Sequence, residues 1–440
     1  MVEESATDDA WRVLQGLSRG SEVEIVRLDG SRWKGTLVPG HELSGARVVQ
    51  LKLPSGYNVG LSILPSDRVS VNPPAPPPNG VSAPAPRGAT GQQATAGGVS
   101  LLTTGGTIAS RIDYRTGGVK PVKEEGEILS FYPTLERGGP VRIRSVFDRL
   151  SEEIGPGDWV ALAEAVAEEF RSGARGVVVA HGTDTLGYTA AALAFALPRL
   201  PGPVVLVGAQ RSPDRPSSDG SSNLEAAVEL ARLGRLSEVV VLMHEGLSDD
   251  RFAVHRATRV RKMHSSRRDA FRSRNGPPIG TVDAQGVHLT PEARAPSTGP
   301  VEVDTRMDVQ AQLCWFYPGL DPALAERSVL GCRGVILAGT GLGHVASSHL
   351  PWIRRAVEGG AVVGMTTQCL EGASDPYVYS TGRELLRAGV TYLADLLPEV
   401  AYVKMLFALG RSQDPAVVRR LLLEDWAGEF AVRHPVAEPD

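Results

Sequence analysis

Residues 73–98, PPAPPPNGVSAPAPRGATGQQATAGG, carry no large apolar side chain except Val81, so this stretch cannot join a hydrophobic core. It divides the 440-residue chain into two parts, each of which must bury a core of its own. The proline-rich half reads as semi-stiff and the glycine-rich half as flexible, which makes the stretch a tether.

Before the tether, EVEIVRL, SRWKGTLV, ARVVQLKL and YNVGLSI read as short strands separated by Asp29-Gly30, PGHELSG and PSG. Apolar positions at Val23, Ile25 and Leu28, followed by Asp29-Gly30, are a hairpin signal. The pattern predicts a small SH3-like β-barrel over residues 1–72.

After the tether the rhythm changes. VSLLTTGG, VRIRSV, RGVVVAHG, GPVVLVGA and EVVVLMHEG are apolar strands, and WVALAEAVAEEF, TAAALAFAL and NLEAAVELARL carry helical periodicity between them. Alternation of this kind predicts a parallel sheet covered by helices on both faces. A break near residues 295–301 precedes a second such block: VQAQLCWFY, RGVILAGTG, a helix over residues 351–358, AVVGMTT, GRELLRAG and two helices from Pro398. The expected architecture is therefore α/β, with two α/β domains over residues 99–300 and 301–440 behind the barrel.

Composition narrows the setting. A formal charge of −4 gives no bulk attraction to nucleic acid, so any RNA contact must be local. Cys314, Cys332 and Cys369 lie far apart without CxxC spacing, which argues against a zinc site or a disulfide framework and suits a reducing cytoplasm. They are expected in the core. The acidic start MVEESATDDAWR has no apolar signal core, and the apolar run over residues 190–209 is broken by Pro198, Arg199, Pro201 and Pro203, so no membrane span is expected.

Chemistry is expected at strand ends, where open α/β sheets bind ligands. LLTTGGTIAS reads as a strand, a tight glycine turn and then a helix. It lacks the GxxxxGK[ST] and GxGxxG patterns of phosphate cradles. HGTDT, residues 181–185, sets hydroxyls beside a carboxylate; a turn or a helix cap formed by Asp184 is its commoner fate, and His181 alone reads as a structural histidine. Residues 257–274, ATRVRKMHSSRRDAFRSR, hold six arginines and Lys262 against the single acid Asp269. A solvated basic face or an RNA-contacting patch is the plain reading; crowded cations would also lower the pKa of Lys262 and fit it to act as a base. No GxSxG elbow occurs, and no cysteine sits in a sharp glycine turn.

Taken together, TTGGTIAS, HGTDT, the PSSDGSSNL segment after Gln210 and Lys262 nine residues before Phe271 resemble the bacterial-type L-asparaginase/glutaminase amidohydrolases. The resemblance runs from Val99 to the C-terminus. It implies a two-domain asparaginase-like fold with a threonine nucleophile at Thr107 and with Tyr114 closing over the site. Thr183, Asp184 and Lys262 would form a second catalytic group. Ser151 and Glu152, in LSEEIGPGDW, would grip the α-carboxylate and α-amino group of the substrate; many members carry Gln where Glu152 stands. Family members assemble through the α/β domains, so Gly341, His344 and Gln368 would complete a neighbour's site.

The tethered barrel, the KMHSSRRDAF block and the ending LLPEVAYVKMLFALG resemble more narrowly the D subunits of archaeal glutamyl-tRNA(Gln) amidotransferases. That resemblance implies an ammonia-releasing subunit using glutamine or asparagine, with no cofactor or metal of its own. A partner subunit of the E type would activate Glu-tRNA(Gln) with ATP and Mg, contact the tRNA, and join in a heterotetramer of two D and two E subunits. A tethered barrel suits docking better than it suits a simple hydrolase. A free-standing L-asparaginase, which needs only the two α/β domains, is the second reading, and a catalytically idle scaffold the third.

Overall fold

The computed structural model describes residues 9–17, 21–38, 47–53, 58–72, 97–105, 110–112, 119–121, 132, 135–211 and 218–431. Thr107, Tyr114 and nearly all of the tether lie outside the described residues.

The N-terminal part has helix α1 (Asp9–Gly16) and strands β1 (Glu22–Val26), β2 (Arg32–Val38), β3 (Val48–Lys52), β4 (Asn58–Ser62) and β5 (Arg68–Asn72). All pairings are antiparallel, in the order β4-β3-β2-β1-β5. Its core is small and aliphatic: Val23, Ile25, Leu37, Leu51 and Leu61 are sealed, and α1 adds Leu14. Leu28, read from the sequence as part of that apolar set, is instead 84% exposed. β1 ends at Val26, so Leu28 belongs to the turn rather than to the inward face.

After residue 98 come β6 (Val99–Thr103), the antiparallel pair β7 (Ser110–Ile112) and β8 (Val119–Pro121), β9 (Val141–Ser145), α2 (Pro156–Arg171), β10 (Gly176–Ala180) and α3 (Leu186–Ala196). Then follow β11 (Val204–Val207), α4 (Gly220–Leu233), β12 (Val239–His244), β13 (Arg251–Arg256), β14 (Val260–Lys262), β15 (Phe271–Ser273), β16 (Gly280–Asp283) and β17 (Gly286–Leu289). Residues 110–112 are strand, antiparallel to residues 119–121, where the sequence suggested a helix after the glycine turn. Cross-strand pairing over a short polar stretch leaves no apolar periodicity to read.

Eight strands form one sheet in the order β17-β16-β13-β12-β11-β10-β6-β9. β9, β6, β10, β11 and β12 run parallel, and β13, β16 and β17 add an antiparallel edge. Valine-rich β10 and β11 are buried at every position, as strands covered on both faces must be. α2 starts cleanly because Pro156 occupies its first turn and the Asp158 carboxylate accepts the Gly155 N–H at 3.0 Å.

A second parallel sheet has the order β18-β19-β20-β21, from β18 (Ala311–Trp315), β19 (Gly334–Gly339), β20 (Val362–Thr367) and β21 (Thr391–Tyr392). Its helices are α5 (Pro322–Ser328), α6 (Leu350–Glu358) and α7 (Ser380–Arg387). The chain continues through α8 (Pro398–Arg411) and α9 (Pro415–Leu423). α8 is buried almost throughout and lies against both α3 and β19, so a single apolar core continues from one sheet to the other. Lys404, inside that core, is paired with Glu429 at 2.6 Å and faced by the rings of Trp426 and Phe430, each 4.8 Å away. No helix among the described residues is long and apolar enough to cross a membrane.

Candidate active site

Strand order locates the site. From β6 the chain moves outward to β9, whereas from β10 it moves the other way to β11, so the crevice between the carboxyl ends of β6 and β10 is the switch point of the sheet. Both motifs picked from the sequence open there. β6 and β10 pair in register from Val99↔Gly176 to Thr103↔Ala180, which brings Thr104 and Gly105 beside residues 181–185.

Thr104 is fully buried and donates from both its backbone N–H and its hydroxyl to the Ala180 carbonyl, each at 3.1 Å. Gly105 has φ +98°, and a Cβ there would stand 2.5 Å from the Arg149 carbonyl oxygen. Only glycine fits that turn. Gly106, Thr107 and Tyr114 lie outside the described residues.

On the facing loop His181 is sealed from solvent. Its Nδ1 lies 2.7 Å from the Gly182 carbonyl and its Nε2 2.9 Å from the Thr189 hydroxyl, which also accepts from Trp159 Nε1 at 3.1 Å. Burial pushes its pKa down to about 4, so the ring is neutral near pH 7. It is a structural histidine, with both nitrogens satisfied.

Thr183 is nearly buried, and Asp184 stands 70% exposed beside it. Lys262, at the end of β14, donates from Nζ to Thr183 Oγ1 at 2.8 Å and to Asp184 Oδ1 at 2.6 Å. Three of the four residues proposed as catalytic therefore meet in one cluster. Asp184 does not cap α3: Thr185 holds the cap position, and its hydroxyl instead donates to the Ser151 carbonyl at 2.5 Å. This bond ties the HGTDT loop to the short turn Ser151–Glu153, where Ser151 is buried, Glu152 is exposed, and the Ser151 hydroxyl lies 3.4 Å from the Glu152 carboxylate.

The basic segment is not a free cationic face. Arg259 pairs with Asp395 at 3.0 Å, Arg261 with Glu399 at 3.4 Å, Arg268 with Asp249 at 2.7 Å and Arg274 with Glu371 at 3.1 Å, while Arg267 and Arg272 share Asp269 at 2.7 and 2.5 Å. Every arginine of the segment thus has a carboxylate partner, four of them from elsewhere in the chain. Sequence counting could not see this, because those partners lie 19 to 138 residues away. Val260↔Ser273 and Lys262↔Phe271 pairing makes the segment a hairpin that carries Lys262 into the crevice.

Of the three free cysteines, Cys314 and Cys332 are half-buried with their thiol pKa values pushed up by burial, and Cys369 is exposed rather than in the core. At the carboxyl ends of β19 and β20, Gln368 Nε2 donates to the Phe316 carbonyl and, at 2.7 Å, to the Ala338 carbonyl, and His344 Nδ1 lies 3.4 Å from the Thr381 hydroxyl.

Known proteins resemble the chain in sequence and in fold. Residues 98–295 match the family described as "Asparaginase, N-terminal", residues 312–422 the "Glutaminase/Asparaginase C-terminal domain", and residues 17–71 the "GatD N-terminal domain". The thermostable L-asparaginase from Thermococcus kodakarensis superposes with a TM-score of 0.70 at 32% identity, over 76% of this chain and 99% of that one. L-asparaginase I from Vibrio cholerae gives 0.65 at 26%, with the same coverage. Over its full span the chain is 41% identical to the D subunit of glutamyl-tRNA(Gln) amidotransferase from Saccharolobus islandicus (98% of both chains) and to that from Pyrococcus furiosus (97% of both). With an asparaginase-type fold, a GatD-type β-domain ahead of it, and identity at this level from end to end, the chain belongs to the family of glutamyl-tRNA(Gln) amidotransferase D subunits.

Proposed function

We propose that the chain is the glutaminase subunit of a tRNA-dependent amidotransferase, releasing ammonia from glutamine, or from asparagine, for a partner subunit. The observation that carries this reading is Lys262 Nζ within hydrogen-bond reach of both Thr183 Oγ1 and Asp184 Oδ1 at the switch point of the sheet. A hydroxyl, an amine and a carboxylate in line form a proton relay, the generalised logic of a nucleophile, its base and the group that orients the base.

In the proposed reaction the Thr107 hydroxyl attacks the side-chain amide carbon of glutamine. Its proton leaves through the Thr183 and Lys262 relay and goes to the departing nitrogen as the C–N bond breaks, releasing ammonia. The resulting γ-glutamyl ester is opened by a water that the same relay deprotonates, which returns Thr107 and frees glutamate. Backbone N–H groups at the turn after β6 or beside Thr183 receive the oxyanion. Ser151, Glu152 and Asp184 hold the charged end of the substrate, and Tyr114 closes the site. These roles follow the family resemblance of the motifs, and the relay geometry supports them.

The partner, of the E type, activates Glu-tRNA(Gln) with ATP and Mg, contacts the tRNA and receives the ammonia. Assembly as two D and two E subunits in the cytoplasm completes the proposal, with the segments of Gly341, His344 and Gln368 completing the site of a second copy. The test is ammonia release from glutamine with and without the partner, Glu-tRNA(Gln) and ATP. Strong stimulation by all three is expected; rapid hydrolysis of asparagine by the chain alone would instead make it a free-standing L-asparaginase.

A further inference from the structure

Behind the Thr183 and Lys262 pair runs a second line of polar groups with no part in the proposed chemistry. Gly208 follows β11 directly beneath Thr183, and a Cβ at this position would meet Thr183 Cγ2 at 2.7 Å and the His181 carbonyl at 2.9 Å. The backbone of residue 208 is therefore the floor on which Thr183 rests, and a shift of the floor moves the hydroxyl.

Hydrogen bonds fix that floor. Asn223 Nδ2, fully buried, donates to the Gly208 carbonyl at 3.0 Å, which orients the Asn223 amide so that its Oδ1 faces His244 Nδ1 at 2.7 Å. His244 is itself sealed, at the end of β12 and edge-on to Phe252 at 4.8 Å. Its other nitrogen, Nε2, lies 2.7 Å from Asp249 Oδ1. That same oxygen accepts from Arg268 at 2.7 Å and from the Ser222 hydroxyl at 3.2 Å.

Arg268 closes the circuit. It belongs to the loop of the hairpin that carries Lys262, a loop pinned at its base by Met263 N–H donating to the Ala270 carbonyl at 2.6 Å. Although partial burial raises the Asp249 pKa, the bonds from His244 and Arg268 outweigh it and hold the carboxyl below the usual range, so Asp249 is anionic near pH 7. An unbroken path, Arg268, Asp249, His244, Asn223 and Gly208, joins the element bearing the lysine to the floor under the threonine.

We propose that Asp249 and His244 form a positioning pair that sets the distance between Lys262 and Thr183 by tying the hairpin of Lys262 to the backbone at Gly208. Neither residue touches the reacting atoms. Their effect is on the geometry of the relay, and small errors of position in such a group cost rate far more than binding.

This inference rests on the proposed glutaminase site, so its test uses the full chain with its partner subunit, Glu-tRNA(Gln) and ATP, and runs Lys262→Ala in parallel. Asp249→Asn keeps the shape of the turn and removes its charge. The expected result is a fall of about tenfold in kcat for glutamine-dependent transamidation, with KM for glutamine within about twofold. Ammonium-supported transamidation is unchanged and the melting temperature stays within about 2 °C. Arg268→Ala acts in the same direction, and Asp249→Asn/Arg268→Ala is no worse than the stronger single change, because both cut one path. An Asp249→Asn protein with wild-type kcat, or one that loses ammonium-supported activity in proportion, overturns the positioning role. If Lys262→Ala is inactive while Asp249→Asn is normal, only this inference fails; if Lys262→Ala keeps glutamine-dependent activity, the glutaminase site falls and this inference with it.

Discussion

Lys262 meets Thr183 across 79 residues of sequence, with Nζ donating to Oγ1 at 2.8 Å. The pairing depends on two separate structures, the hairpin β14–β15 and the loop after β10, arriving at one crevice.

Replacing Lys262 by Ala is expected to lower glutamine-dependent ammonia release by about 10²- to 10⁴-fold, the range for loss of a positioned acid–base group. Lys262→Arg is expected to fare no better, since a guanidinium does not give up its proton at working pH. Ammonia release and ammonium-supported transamidation, measured on the same preparations, check both: the second activity is retained in each variant.

Gly208→Ala puts a methyl group 2.7 Å from Thr183 Cγ2. Overpacking of this kind costs about 1–3 kcal/mol of stability. Because the strained contact is Thr183 itself, kcat is expected to fall together with the urea midpoint, whereas Gly246→Ala, where nothing lies within 4 Å of the added methyl, leaves both unchanged.

Acid should weaken the fold through two sealed histidines. Burial pushes His181 down to about 4; burial, then the neighbouring Arg272 and Arg274, push His255 down to about 3. Each ring takes its proton at higher pH in the unfolded chain than in the folded one. Their stabilising contribution is therefore complete above about pH 6.5 and is lost as pH falls toward 4 and 3, amounting to about 3 kcal/mol for His181. Urea midpoints between pH 7.5 and 4.5 measure the slope. His181→Gln should flatten it, and an unchanged slope in that variant would count against the assignment.

The buried pair Lys404 and Glu429 offers a third handle on stability. Burial pushes the lysine pKa down and the glutamate pKa up, and the two charges offset each other. Glu429→Gln leaves an uncompensated buried ammonium and is expected to cost about 3–5 kcal/mol, whereas Lys404→Met/Glu429→Leu together should recover most of that loss. Denaturant titration of the two variants tests the difference.

The sheet and the crevice were legible because their signals are local. Valine runs, glycine turns and helical periodicity each lie within a dozen residues, and HGTDT follows its strand directly. Ser151 was picked through family resemblance, and the Thr185 bond to its carbonyl is a contact that no spacing announces. The arginine-rich segment misled for the same reason: its charge is visible in one window, while Asp249, Glu371, Asp395 and Glu399 are scattered over the rest of the chain. Asn223 lies within PSSDGSSNL and His244 at the polar end of VVLMHEG, yet neither segment announces that the two side chains meet, and Gly208 looks like any glycine at a strand end until the contacts are seen.

The C-terminal anchorage also sets a timetable for folding. The Thr258 hydroxyl donates to the Ala427 carbonyl at 3.2 Å and Arg259 Nε to the Gly428 carbonyl at 2.9 Å, just ahead of β14 and its Lys262. Glu429 supplies the carboxylate for Lys404 in α8. Synthesis runs from the N-terminus, so the β-domain can fold while the chain is still growing, but the lysine strand gains its backing only when residues 427–429 leave the ribosome. The Lys262 and Thr183 contact is thus expected among the last features to form, since a nascent chain stalled before residue 427 lacks the two carbonyls that brace the lysine strand.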